Sequence, residues 1–252
     1  MAASPEYSLV TGAASGIGEA IVRVLLACGQ TFVGMDLNAE RLTGMVSEFK
    51  DRFIPITADG TSEVDVVSAF REAQQCDRLK SAFDVVGGAR FAPLVDHALE
   101  DWTFTTALTF NSTFPCLREE ARIMENGGGS IVNLASLNAR IPAHCAAAYS
   151  ATKAAVKMLT KNAPLELARF GIWVNVVLPG LTVTPSTEKS VLPKLGLVAK
   201  FLVRIPLRRT GEAWEIAKPS VFLASDAASY ITGASLLIDG AWATTTYPDL
   251  SE

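Results

Sequence analysis

Tyr149 and Lys153, in the run Ala148-Tyr-Ser-Ala-Thr-Lys153, stand four residues apart. That is about one helical turn, so an ammonium can lie beside a phenol on one helix face. A free phenol titrates near pH ~10 and moves protons poorly at neutral pH. A fixed positive charge favours the phenolate and brings its pKa toward the range that general acid–base chemistry needs. On its own the pair also describes ordinary packing plus a solvated charge, so its weight rests on what accompanies it.

What accompanies it first is a glycine-rich turn. Gly12-Ala-Ala-Ser15-Gly16-Ile17-Gly18 follows Tyr7-Ser-Leu-Val-Thr11, which reads as a buried strand. It precedes a stretch, 19–27, whose apolar spacing is helical and which stops at Gly29. Such glycines let backbone amides approach a pyrophosphate, and the helix amino terminus adds partial positive charge. A tight structural turn is the ordinary use of this pattern; the strand before and the helix after make it a nucleotide-site candidate. Residues 31–35 read as the next strand, and Asp36 ends it, eighteen residues past Gly18. A carboxylate there accepts both ribose hydroxyls of an adenosine and repels a 2′-phosphate. No Arg or Lys occupies 12–18 and Leu37 follows the acid, so NAD(H) is expected over NADP(H). The competing use of Asp36 is to cap a helix starting near Asn38.

These groups must be carried by a regular frame, and strands and helices alternate from end to end. The spacing predicts strands near 7–11, 31–36, 52–57, 82–86, 130–135, 172–178 and 235–238, and helices near 16–28, 39–50, 62–80, 99–125, 149–169 and 212–224. Such alternation specifies an α/β, Rossmann-type doubly wound parallel sheet of about seven strands with helices on both faces. Ligands then bind outside the carboxyl ends of the strands, where Gly12, Asp36, Asp59, Ser136 and Gly180 gather. One domain spanning 1–252 is expected. The longest irregular stretch, 181–210, is mostly apolar with Pro and Gly hinges and reads as a substrate lid.

Together these residues resemble the short-chain dehydrogenase/reductase family in its single-domain form, over almost the whole chain. Thr11-Gly-Ala-Ala-Ser-Gly-Ile-Gly18 matches the family's cofactor turn, and Asp59, followed by Gly60, falls where the family holds the adenine amino group. Gly129-Ser-Ile-Val-Asn-Leu-Ala-Ser136 matches the fifth strand and its catalytic serine, thirteen residues before Tyr149. Val174-Asn-Val-Val-Leu-Pro179-Gly180 matches the sixth strand and the turn against the nicotinamide, with Thr182 and Thr184 following at cofactor-contacting positions. Ser229-Tyr-Ile-Thr-Gly233 through Ile238-Asp-Gly240 matches the carboxy-terminal segment. The resemblance implies hydride transfer between a nicotinamide and a carbonyl or secondary alcohol. Tyr149 would exchange the proton, Ser136 would orient the reacting oxygen, and Lys153 would hold the ribose hydroxyls and lower the tyrosine pKa. It also implies a homotetramer, or a homodimer, built through 99–125 and 149–169.

The chain departs from the family pattern in two places. Counting seven residues from Trp102 puts Thr109 where the family carries a catalytic asparagine; Asn111, two residues on, would face another side of the helix. After the fourth strand, the family's Asn-Asn-Ala-Gly is replaced by Phe83-Asp-Val-Val-Gly-Gly-Ala-Arg90. Either Gly87 and Gly88 substitute for the asparagines, or a short deletion removes them and leaves one of these glycines as the last. Pro115 and Pro164 fall inside expected helices, where a proline costs up to ~3 kcal/mol or forces a kink.

Bulk properties set the outer bounds. With 252 residues, about half of them apolar, and a net charge of −4, the chain reads as a globular protein without a basic nucleic-acid surface. No apolar run reaches the roughly 18 residues that cross a membrane, and the start lacks the basic and apolar regions of a signal peptide. Cys28, Cys76, Cys116 and Cys145 are scattered without metal-like spacing and read as thiols of a cytoplasmic protein. With only His97 and His144, no histidine metal site is expected; His144 reads as a loop residue, its alternative being to line a pocket near Tyr149. The leading expectation is an NAD(H)-dependent alcohol dehydrogenase or ketone reductase for a small to medium, fairly apolar substrate. A 3-oxoacyl thioester reductase, and a catalytically weak NAD-binding sensor or assembly protein, are the rival readings.

Overall fold

A computed structural model describes residues 6–76 and 78–245; the ends of the expected 1–252 domain, and Asp77 within the expected helix 62–80, lie outside them. The first half alternates β1 (Glu6–Thr11), α1 (Gly16–Ala27), β2 (Thr31–Asp36), α2 (Ala39–Phe49), β3 (Phe53–Thr57), α3 (Glu63–Ala73) and β4 (Arg78–Asp84). The second half runs through α4 (Leu99–Thr106), α5 (Thr113–Met124), β5 (Gly129–Leu134), α6 (Ala147–Leu167) and β6 (Ile172–Pro179). It then passes β7 (Thr182–Val183), α7 (Pro185–Ser190), α8 (Leu195–Leu202), β8 (Gly211–Glu212), α9 (Ala213–Ala224) and β9 (Ser235–Ile238).

Seven strands form one sheet in the order β3-β2-β1-β4-β5-β6-β9, every pair parallel. Chain order reverses between β1 and β4, which makes that point the topological switch where a crevice opens. Successive strand residues point to opposite faces. Leu9, Val33 and Met35 join α3, α5 and α6 residues in one core. Val10 and Phe32 join Ile21, Val22 and Leu25 of α1, Leu42 and Met45 of α2, and Ile216 and Ala217 of α9 in the other. Both faces are therefore covered, as the near-continuous apolar strands require.

The structure corrects four expectations. β4 spans Arg78–Asp84, not 82–86. Val85 and Val86 look like strand residues, but Thr11 Oγ1 accepts the Val85 N–H at 3.0 Å and the chain leaves the sheet there. Correspondingly α3 ends at Ala73, and 78–80, expected as helix, are strand residues; Arg78 pairs with Glu6 and Lys80 with Asp226, so their charges reach the surface while Leu79 fills the core. The expected helix 99–125 is interrupted by a π-helical segment, Ala107–Asn111, in which the Ser112 N–H bonds the Ala107 carbonyl. Pro115 follows in the first turn of α5, where a missing N–H is tolerated. Pro164 lies near the end of α6, and Pro219 is a further proline, inside α9. Finally, 181–210 is not irregular: it carries α7 and α8, with its two ends tied by the parallel pair β7–β8.

Candidate active site

The site is assembled at the carboxyl ends of the strands. The turn after β1 is shaped by its glycines: Gly12 and Gly16 have positive φ, 65° and 55°, a region side chains avoid. A Cβ on Gly18 would stand 2.0 Å from the Gly12 carbonyl oxygen, so α1 can begin against the turn only with glycine there. Ser15 caps α1 without a side-chain cap bond, which leaves the first-turn amides available to an anion, as a phosphate cradle requires. Ile17, half-buried, packs behind the turn. The Asp36 carboxylate at the end of β2 accepts the Ala14 N–H at 3.0 Å and the Asn38 N–H at 2.9 Å. Each carboxylate oxygen retains a lone pair for a ribose hydroxyl. The expected cap of α2 is Asn38 rather than Asp36, since the Asn38 side chain accepts the Arg41 N–H. Leu37 is exposed beside it.

The remaining cofactor candidates complete the rim. Asp59 Oδ1 is engaged by the Thr61 amide and hydroxyl at 2.8 and 2.7 Å. Gly60 is buried against the Val86 side chain with room for a methyl group. Gly180 follows Pro179 so close to Asp239 that a Cβ would stand 2.8 Å from its Cα. Thr182 donates to the Gly180 carbonyl, and Thr184 caps α7 while its side chain borders Gly16. The segment 181–184 thus lies directly across from the glycine turn.

Ser136 follows β5 in extended backbone, its hydroxyl accepting the Asn138 N–H at 3.1 Å. Tyr149 and Lys153 sit on the first turns of α6. The Tyr149 phenol is held above its ordinary range because burial disfavours the phenolate, while hydrogen bonding with Ser136 pulls the other way. Lys153 is 2 % exposed, and burial lowers its ammonium to about 8. Its Nζ donates to the Leu134 carbonyl at 2.6 Å and lies 5.8 Å from the Tyr149 ring centroid. In this geometry the ammonium is turned toward the end of β5, and desolvation outweighs the Ser136 hydrogen bond at the phenol.

Thr109 lies in the π-helical segment and is fully buried. Its hydroxyl donates to the Gly88 carbonyl at 2.7 Å and accepts the Gly88 N–H at 3.3 Å. A Cβ on Gly87 would stand 3.2 Å from Lys153 Nζ and 3.9 Å from Thr109 Oγ1, so Gly87 leaves the room that brings lysine and threonine to one spot. Asn111 is exposed and His144 likewise; neither joins the site. Two participants escaped the motif reading. The Leu134 carbonyl is backbone and carries no sequence signal. Phe91 meets Tyr149 edge-on, ring centroids 6.0 Å apart, on a loop pinned by the Ala92 N–H to the Cys145 carbonyl; an aromatic residue just past the Gly87-Gly88 pair was its visible trace.

A serine, a tyrosine and a lysine thus gather beside a glycine-lined turn at the carboxyl ends of the strands. Residues 12–242 match the family model described as enoyl-(acyl carrier protein) reductase, and the chain belongs to the short-chain dehydrogenase/reductase family. It is 36 % identical over 244 residues to D-threitol dehydrogenase of Mycolicibacterium smegmatis, covering 94 % of this chain and 92 % of that protein. It is 34 % identical over 242 residues to a tropinone reductase homologue of Arabidopsis thaliana, covering 92 % and 91 %. Among solved structures, a short-chain type dehydrogenase/reductase from Mycobacterium ulcerans superposes with a TM-score of 0.90 at 31 % identity, covering 98 % of this chain and 92 % of that one. Levodione reductase superposes with a TM-score of 0.90 at 27 % identity, covering 95 % and 98 %.

Proposed function

We propose that this protein is an NAD(H)-dependent oxidoreductase that interconverts a secondary alcohol and a ketone on a small to medium, fairly apolar substrate. The observation that carries the reading is the meeting of Ser136 with the Tyr149 phenol, one turn from buried Lys153, at the mouth of the glycine-lined crevice. The nicotinamide cofactor would supply or accept the hydride. Gly12, Ser15, Gly16, Ile17 and Gly18 would hold its pyrophosphate, Asp36 and Leu37 its adenosine ribose, Asp59 and Gly60 its adenine side, and Gly87, Gly88, Pro179, Gly180, Thr182 and Thr184 its nicotinamide end.

During reduction Tyr149 gives a proton to the developing alkoxide. A raised phenol pKa still permits this transfer, because an alkoxide is a much stronger base than a phenolate. Ser136 donates to the same oxygen and fixes its distance from Tyr149. Lys153, mostly charged at neutral pH with its pKa near 8, holds the ribose hydroxyls and stabilises the phenolate left behind. Thr109 stands in for the family asparagine by fixing the Gly88 backbone rather than by reaching Lys153.

Preference for NAD(H) is supported by Asp36 and by the fate of Arg41, the next basic residue along the chain, whose guanidinium is bound by Glu19 at 2.6 Å. The names of the relatives, a D-threitol dehydrogenase and a tropinone reductase homologue, support alcohol–ketone interconversion as the reaction. The 181–210 segment serves as the substrate lid of a single domain, and exposed Phe104, Phe114, Met158 and Leu165 on α4, α5 and α6 form the contact of a homotetramer. No helix among the described residues is long and apolar enough to cross a membrane, and a cytoplasmic location fits the scattered thiols. The test is nicotinamide turnover by purified protein with NADH and NADPH across secondary alcohols, ketones and 3-oxoacyl thioesters. Ketone turnover with NADH is expected; preference for NADPH removes the Asp36 argument, and tight NADH binding without any turnover favours the sensor reading.

A further inference from the structure

Behind the glycine turn two carboxyl groups face each other in the core. Asp84 ends β4 and is 5 % exposed, and Glu120 on α5 is fully buried. As ionised groups both only accept, and Asp84 Oδ2 and both Glu120 oxygens then find no donor. With a proton on one of them they hydrogen-bond each other. Among the described residues, the titratable groups that act with them are Tyr7 from β1, which meets Glu120, and Cys116 from α5, which meets both; Cys76 and Glu119 act in turn on Tyr7 and Cys116, and from β5 Asn133 pairs in register with Asp84. Among the described residues no cation is a cause of either carboxyl's shift, and a buried, unpaired carboxylate keeps its proton rather than its charge.

The pair is wired to the crevice. Asp84 Oδ1 accepts the Thr11 hydroxyl at 3.3 Å, and Thr11 Oγ1 accepts the Val85 N–H at 3.0 Å. Thr11 leads into Gly12. Val85 leads into the segment whose Val86 backbone would stand 3.3 Å from a Cβ on Gly12 and whose Gly87 borders Lys153. We propose that Asp84 and Glu120 share a proton and are positioning residues, holding the glycine turn against the 85–88 loop so that cofactor binding weakens when that proton leaves. This rests on reading the crevice as the nicotinamide site. Loss of the proton sets two negative charges side by side in the core, and their repulsion moves Asp84 away from Thr11.

Burial supports the same direction, raising Asp84 to about 7 and Glu120 well above its ordinary range. In the unfolded chain both carboxyls ionise near pH ~4, so the folded state binds more protons. Stability therefore falls as pH rises from about 4 through about 7 and beyond.

Melting temperature and NADH affinity, measured from pH ~5.5 to ~8.5 on the parental protein, Asp84→Asn, Glu120→Gln and the double variant, test the proposal. The parental protein should lose roughly 2–5 °C per pH unit relative to the variants, and its NADH affinity should drop about tenfold while theirs holds within about twofold. The titration of Lys153 is common to all four and cancels. Parallel melting slopes would overturn the shared proton. Divergent melting slopes with parallel affinity slopes would overturn the positioning role. No NADH binding at any pH would overturn the cofactor reading and with it that role, while the melting comparison still decides the proton. If Glu120→Gln fails to fold, Asp84→Asn, which conserves shape, gives the same comparison.

Discussion

Tyr149 meets Ser136 through a hydroxyl that Phe cannot provide, while its ring rests edge-on against Phe91. Tyr149→Phe should therefore keep packing and cofactor affinity while turnover falls on the order of 10²–10⁴-fold, the range for general acid–base groups; steady-state kinetics alongside NADH titration checks both halves. Lys153 gives the pH signature. Its ammonium, lowered to about 8, is present below that value, so kcat/KM should be flat at neutral pH and decline as pH rises through about 8. A profile unchanged to pH ~10 would mean the charge is dispensable. Thr109 and Asn111 separate by burial. Thr109→Ala deletes both bonds to Gly88, each worth about 0.5–1.5 kcal/mol, and should lower unfolding free energy by about 1–3 kcal/mol. Asn111→Ala, at an exposed position, should stay within about 0.5 kcal/mol with unchanged turnover.

At the scale of elements, glycines that look alike in sequence have opposite tolerances. Gly18→Ala must displace the turn, since its Cβ would meet the Gly12 oxygen, and NADH binding should be lost. Gly60→Ala meets only ordinary contacts with Val86 and Ser112 and should bind normally, with equal or slightly higher stability. Most of this architecture was legible because apolar periodicity reports burial on a repeating element: β1, β2, β5, β6 and β9 fall where the pattern places them. β4 did not, because its polar residues Arg78, Lys80 and Ser81 are satisfied by partners distant in sequence, Glu6, Asp226 and Ser8. The π-helical segment was invisible for a similar reason, as no residue type encodes an i→i−5 bond. The Tyr149, Lys153 and Ser136 spacing was readable. The orientation of the ammonium toward Leu134 was not, because a carbonyl belongs to every residue. Glu120 carried a signal that motif matching passes over: an acid on the apolar stripe that Cys116, Leu117 and Met124 otherwise define.

For the whole molecule, sedimentation should report a tetramer, and Met158→Glu with Leu165→Glu should release smaller species, since both side chains are exposed apolar groups on α6. The path of the chain around the lid has another consequence. Lys194 lies exposed between α7 and α8, a natural target for trypsin. Everything downstream of the cut includes α9, packed on α1, and β9, hydrogen-bonded along β6. A single nick there should give two bands on a denaturing gel and one undivided particle in solution. The carboxy-terminal fragment would stay in place as a non-covalent subunit, because the sheet and the α1–α9 contact hold it after the peptide bond is gone.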